Sequence, residues 1–177
     1  MNSPPLVNET VCLTMTSTLP ERNMSVQIRP MRRDDIAAVA ALLRTLASEF
    51  IVHDSRPEQA STFLRENDRD GIAGYLSRGF VYHVADDGGA IAGFIGMRER
   101  QHVFHLFVGT AWQGRGLARR LWEVARTAAI GAGVAPPFTV NASNYAVAAY
   151  ERLGFVRTSP MLEKNGIRFN PMQWPAP

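Results

Sequence analysis

The run His105-Leu106-Phe107-Val108-Gly109-Thr110-Ala111-Trp112-Gln113-Gly114-Arg115-Gly116-Leu117-Ala118-Arg119-Arg120-Leu121 has the ingredients of an anion site. An apolar strand-like stretch feeds a turn holding Gly114 and Gly116. That turn opens a stretch with Leu117, Leu121, Val124 and Ala128 at helical spacing. The glycines let backbone approach a ligand closely, and a helix start offers unpaired N–H groups with a positive dipole end. Such a place suits a phosphate or pyrophosphate, and Arg115, Arg119 and Arg120 add positive charge beside it. A turn that needs glycine only for its geometry would read the same way. The run is neither a P-loop, lacking Gly-Lys-Ser/Thr, nor the G-x-G-x-x-G of a dinucleotide fold.

A second group of polar residues follows about thirty positions later, in Val140-Asn141-Ala142-Ser143-Asn144-Tyr145-Ala146-Val147-Ala148-Ala149-Tyr150-Glu151-Arg152-Leu153-Gly154-Phe155. Asn141, Ser143 or Asn144 could cap the following helix, and Tyr150 could cover the core with its hydroxyl at the rim.

Taken together, the two blocks resemble the GNAT superfamily of N-acetyltransferases. The first matches its Q-x-x-G-x-G/A signature at Gln113, Gly116 and Ala118. The second is similar to its N-x-S…A-V-x-x-Y-x-x-x-G-F element at Asn141, Ser143, Ala146, Val147, Tyr150, Gly154 and Phe155. The likeness runs from Val26 to about Met172. Ala118 stands where glycine is commoner, and Gly109-Thr110 replaces a His-Pro or similar pair.

The resemblance implies acetyl-CoA as co-substrate and an amine acceptor, joined by direct attack in a ternary complex. By it, the turn Gln113, Gly114, Arg115, Gly116, Leu117 and Ala118 cradles the pyrophosphate. The backbone of Leu106, Phe107 and Val108 pairs with the pantetheine arm as an added strand would, and the Val108 N–H polarises the thioester carbonyl. Asn141 or Asn144 hydrogen-bonds the pantetheine, and Tyr150 protonates the departing thiolate. An acetyl-CoA-binding module without turnover is the alternative. A homodimer is compatible with the resemblance, but no residue pattern fixes it.

An amine acceptor must lose a proton before it attacks, and a histidine near its ordinary pKa of about 6.5 suits that task. His102 and His105 are the candidates. His102 shares strand parity with Leu106 and Val108; His105 lies on the other face unless a bulge reverses the phase. Glu99 could act through water, and both histidines could be ordinary strand residues. His53 and His83 are remote in sequence and Cys12 stands alone, so no metal site is expected.

These residues need a scaffold. Val26-Gln27-Ile28-Arg29 alternates as a half-buried strand. Asp34 and Asp35 then open a helix whose apolar positions run from Ile36 through Val39, Ala40, Leu43, Leu46 and Ala47 to Phe50. Pro57 opens a second helical region, interrupted by Gly71 and Gly74. Phe80–Ala85 and Ala90–Arg98 read as a hairpin around Asp86-Asp87-Gly88-Gly89, and His102–Val108 reads as a third strand. A helix over Gly116–Ile130, a short strand Phe138-Thr139-Val140 and a helix through Tyr150 to Leu153 follow. Phe155–Thr158 and Ile167–Phe169 are the last strands, with Asn165-Gly166 as a turn. The order predicts an α/β sandwich around one mixed sheet of about six to seven strands, with helices on both faces.

The chain has 177 residues, 46% hydrophobic and 20% charged, which fits one globular domain and excludes a mainly disordered or fibrous protein. Residues 1–23, rich in Ser, Thr, Asn and Pro, read as a flexible tail without the pattern of a signal peptide, and 24–177 as the domain; Met24 is a candidate natural start. Nineteen Lys and Arg against sixteen Asp and Glu leave +3, scattered rather than gathered, so nucleic acid is not an expected partner. No apolar run reaches the roughly 18 residues of a membrane span, and one cysteine fits a reduced, cytoplasmic setting.

Overall fold

The computed structural model describes residues 26–50, 57–164 and 166–175. The tail, the Met24 start and Asn165 of the expected last turn lie outside these residues. Eight strands form one mixed sheet: β1 (Gln27–Pro30), β2 (Val81–Asp87), β3 (Ala90–Arg98), β4 (His102–Val108), β5 (Phe138–Ala142), β6 (Val156–Arg157), β7 (Leu162–Lys164) and β8 (Ile167–Trp174). Their order is β1-β2-β3-β4-β5-β8-β6, with β7 on the first half of β8. Among the described residues only β4 and β5 run parallel. The sheet is a little larger than the six or seven strands expected, because β7 is a three-residue exposed strand with no apolar alternation to announce it.

Among the described residues there are five helices, four of which cover the sheet. On one face lie α1 (Ile36–Phe50) and α3 (Arg69–Ser77), burying Val39, Leu43, Ala47, Ile72 and Tyr75 against Tyr82, Val84 and Phe94. On the other lie α4 (Leu117–Gly131) and α5 (Val147–Arg152), burying Leu117, Leu121, Trp122, Tyr150 and Phe155 against Ile95, Met97, Val103 and Phe138. The 3.6-residue period of α1 produces this result directly, since Val39, Ala40, Leu43, Leu46 and Ala47 are all buried. The second helical region is two helices. α2 (Pro57–Glu66) ends at Asn67, whose amide donates to Phe63 O at 2.8 Å, and Asp68 caps α3 by accepting from the Gly71 N–H at 3.0 Å.

The start of α1 is fixed by charge. Asp35 accepts from the Arg32 N–H at 2.7 Å and pairs with Arg29 at 2.7 and 2.9 Å, while Asp86 at the end of β2 takes the same guanidinium at 2.9 Å. Arg29 therefore ties β1, the entry to α1 and the β2–β3 hairpin together. Both carboxyls lie below the usual aspartate range: Asp35 chiefly through Arg29, Asp86 chiefly through the Gly89 N–H and then Arg29.

Candidate active site: the parting of β4 and β5

β4 makes a full ladder with β3 but only two rungs with β5, at His102–Thr139 and Val103–Val140. Beyond Val103 the two strands part. Antiparallel pairing decides which backbone groups line the gap. The Gly109 N–H donates to Ala92 O at 2.8 Å, so that pair is hydrogen-bonded, and alternation makes Val108–Gly93 and Leu106–Ile95 the unbonded pairs. Leu106 and Val108 thus aim their N–H and C=O groups into the gap, whereas Phe107 spends its own on Phe94 of β3. The expectation for Phe107 as a backbone partner of the pantetheine is corrected by this alternation; its ring packs instead against Phe94 and His105 on the α1 face.

At the end of β4 the chain makes a short 3-10 turn, Thr110–Trp112, and enters α4. Trp112 pins the turn to the β2–β3 hairpin by donating Nε1–H to Asp87 at 2.8 Å. Gln113 pins it to β4, its Nε2 donating to Val108 O at 2.9 Å. Gly114 and Gly116 both have positive φ, +73° and +74°, with open space where a Cβ would stand. They are glycines for conformation, not for crowding. Gly116 is the N-cap and brings no side-chain acceptor, so the first-turn amides of α4 are left for an external anion beside the gap. Of the three arginines, Arg119 donates to Arg152 O at 2.7 Å and Arg120 to Val26 O at 2.7 Å. They bolt α4 to α5 and to the residue before β1, so they are less free to neutralise a ligand than their sequence position implied.

On the far side of the gap, Asn144 accepts from the Nδ2 of Asn170 at 2.9 Å, and the same amide donates to Ala142 O at 3.3 Å. Asn170, 1% exposed, holds the β5–α5 loop in place and was missed in the sequence; its signal was an asparagine amid the apolar positions of the closing strand. Asn141 is exposed on β5, and Leu117 is buried under the α4 start. Tyr150 is 7% exposed, its ring edge-on to Phe155 at 5.4 Å. Among the described residues its hydroxyl has no hydrogen-bond partner, and burial pushes the phenol up.

The family model described as an acetyltransferase (GNAT) domain matches residues 51–176. The chain belongs to the GNAT acetyltransferases. Solved structures agree on the fold. A GCN5-related N-acetyltransferase from Rhodopseudomonas palustris superposes with a TM-score of 0.73 at 24% identity, over 85% of this chain and 95% of that one. The PaiA N-acetyltransferase of Thermoplasma acidophilum, solved in complex with coenzyme A, gives 0.70 at 13% identity, over 85% and 99%. YjaB of Escherichia coli, in its apo form, gives 0.64 at 20%, over 87% and 100%. No curated protein sequence matches the chain significantly.

In this GNAT domain the histidines sit differently from the parity expectation. A bulge at Phe104 shifts the β3–β4 register: His105 pairs with Gly96 and Val103 with Met97. Phe104 and His105 both face the α1 side, among Tyr75, Tyr82 and Phe94. Leu106 and Val108 face α4. His102, one residue before the α4-facing Val103, is on the α1 side with Thr139, whose Oγ1 lies 2.8 Å from its Nδ1. The bulge therefore removes the shared face assumed for His102, Leu106 and Val108. Burial, helped by Arg98 and opposed by Glu99, lowers His102 to about 4; burial alone lowers His105 to about 3. Both are neutral at pH 7. Glu99 itself sits in the β3–β4 turn at φ +53°, beside Arg100 at +57°. Among the described residues no three His, Cys, Asp or Glu gather to hold a metal, and no helix is long and apolar enough to cross a membrane.

Proposed function

We propose that this GNAT domain moves an acetyl group from acetyl-CoA to an amine. The observation that carries the reading is the parting of β4 and β5, with the outward backbone groups of Leu106 and Val108 beside the glycine-opened start of α4. The pantetheine amides pair with Leu106 and Val108 as a partial strand, and the pyrophosphate lies at Gly114–Ala118. Gln113 serves by holding the turn to Val108, and Asn144, fixed by Asn170, faces the arm from the β5 side with Asn141.

When bound, acetyl-CoA supplies an activated thioester. The Val108 N–H polarises its carbonyl, the amine nitrogen forms the new C–N bond, and the C–S bond breaks. Tyr150 gives its proton to the thiolate, and a phenol held up by burial keeps that proton at neutral pH. His102 is the better base of the two histidines, since a threonine hydroxyl can accept from its Nδ1–H and leave the Nε2 lone pair free; standing at the opposite end of β4 from Val108, it takes the amine's proton through water and not by direct contact. A base lowered to about 4 is weak, and that observation favours the second reading, a module that binds acetyl-CoA without turnover.

A thermal-shift titration with acetyl-CoA separates these from failure of both. Ligand at 100 times its dissociation constant adds about 2.7 kcal/mol. A raised melting point in the wild type that vanishes in Gly116→Glu supports the site, and thiol release with an amine panel then distinguishes enzyme from module. No shift in the wild type overturns the proposal.

A further inference from the structure

The turn that carries Gly114 and Gly116 does not hold itself. Among the described residues the N–H groups of Gly114, Arg115 and Gly116 donate to no backbone carbonyl, and both glycines have open space at the Cβ position. Glycine has the most backbone freedom to lose, so such a turn keeps one shape only if its flanks hold it. Gln113 ties it to Val108, five residues back on the strand that feeds it. The longer-range tie is Trp112, whose Nε1–H donates at 2.8 Å to Asp87, 25 residues away at the end of β2. The indole also lies on Gly109, where a Cβ would meet ring atoms Cε3 and Cζ3 at 2.9 and 3.1 Å. Gly109 has φ −56°, which any residue adopts, so it is glycine to make room for the ring. That accounts for Gly109-Thr110 standing where the resemblance expects His-Pro or a similar pair. A proline would stiffen the turn by its fixed φ; here the indole and its partner do so.

The hairpin's two adjacent carboxylates are divided between two tasks. Asp86 is taken by Arg29, whereas among the described residues Asp87 has no cationic partner and accepts from the indole. A hydrogen bond to a charged acceptor is roughly twice as strong as one between neutral groups. We propose that Trp112 and Asp87 are positioning residues: their clamp holds the Gln113–Gly116 turn in the shape an anion needs before any ligand arrives, and its benefit appears as ligand affinity. Preorganisation raises affinity by removing ordering that binding would otherwise require. Neither side chain has to touch the ligand for this. The clamp stands by itself; that the anion is the diphosphate of acetyl-CoA rests on the acetyl-transfer reading.

Two measurements on the full chain test this, the first without ligand. Nitrogen-15 relaxation should show the amides of Gly114, Arg115 and Gly116 as ordered in the wild type as those inside α4, and less ordered in Trp112→Phe. A turn already mobile in the wild type, or equally rigid in the variant, overturns the clamp. The second is calorimetric titration with acetyl-CoA, well below every variant's melting point. Trp112→Phe keeps a ring on Gly109 and loses the N–H. It and Asp87→Ala should each weaken binding about tenfold. The double variant should bind no more weakly than either single one, because both remove the same interaction. Asp87→Asn keeps an acceptor oxygen and should bind about as tightly as the wild type. Should Trp112→Phe not fold, Asp87→Ala carries both readouts. Variants that melt lower yet bind like the wild type overturn the proposal, and so do losses that add in the double variant. A wild-type turn that is rigid and loosens in Trp112→Phe, in a chain that binds no acetyl-CoA, upholds the clamp and overturns the acetyl-transfer reading.

Discussion

Replacing Gly96 by alanine is a one-methyl test of how tightly the α1 face of the sheet is packed. A Cβ at Gly96 would stand 2.5 Å from Tyr82 Cζ and 2.9 Å from its Cδ1, inside the ring's own volume. The ring has nowhere to retreat: it is buried, lies near Phe94 at 6.4 Å between centroids, and its hydroxyl is hydrogen-bonded to His105 Nδ1 at 2.9 Å. Overpacking of this kind costs about 1–3 kcal/mol, and pulling the phenol off Nδ1 adds about 1 kcal/mol. Alanine stiffens the unfolded chain and returns about 0.4–1 kcal/mol. The net loss is about 2 kcal/mol, or roughly 4–8 °C of melting temperature in a domain of this size. Urea denaturation followed by circular dichroism measures it, with Gly74→Ala as the comparison. Gly74 lies inside α3 with open space at its Cβ, so alanine there should stabilise by about 0.5–1 kcal/mol. If Gly96→Ala proved as harmless as Gly74→Ala, the packing argument for the Tyr82–His105 row would be wrong.

Tyr150→Phe should leave acetyl-CoA binding and stability nearly intact, because the hydroxyl has no protein partner among the described residues, while lowering kcat about a hundredfold or more with whichever amine is turned over; an unchanged kcat removes Tyr150 as the acid. Arg29→Met strands two carboxylates that are 11% and 22% exposed and should cost about 3 kcal/mol at pH 7 in urea denaturation. Because the folded pKa values of Asp35 and Asp86 are depressed, that penalty shrinks as pH falls below about 4, and a pH-independent penalty would contradict the ion-pair account. His83, His102 and His105 all have folded pKa values below the unfolded value of about 6.5, so their share of stability is present above that pH and lost as pH drops toward 4. Each should contribute a slope of up to about 1.4 kcal/mol per pH unit there, and a melting temperature flat from pH 6.5 to 5 would refute it.

The helices were legible because one face of each meets water, so the apolar period of α1 and α4 had to show in the sequence. Gly114 and Gly116 were legible for a related reason: positive φ favours glycine, even though Glu99 and Arg100 also adopt it in the β3–β4 turn. β4 was not. Its run His-Val-Phe-His-Leu-Phe-Val is covered on both faces, leaving no polar phase against which a bulge at Phe104 could be noticed. Counting by twos therefore put His102 with Leu106 and Val108. Tyr82 was invisible too, since its partner lies 23 residues away and the glycine between them records only an absence. Arg119 and Arg120 looked like ligand charges because sequence shows a basic cluster without showing the carbonyls of Arg152 and Val26 waiting within reach.

The bulge also bears on how this strand is compared between chains. Phe104 acts as a one-residue spacer, so a homologue shorter by one residue here would carry its first histidine to the opposite side of the sheet without changing a single letter around it. An alignment that matches such chains by identity would equate side chains facing different compartments of the protein. Between members of this fold, insertions and deletions in β4 are therefore substitutions of environment, and residue roles transfer only after the rungs with β3 have been counted.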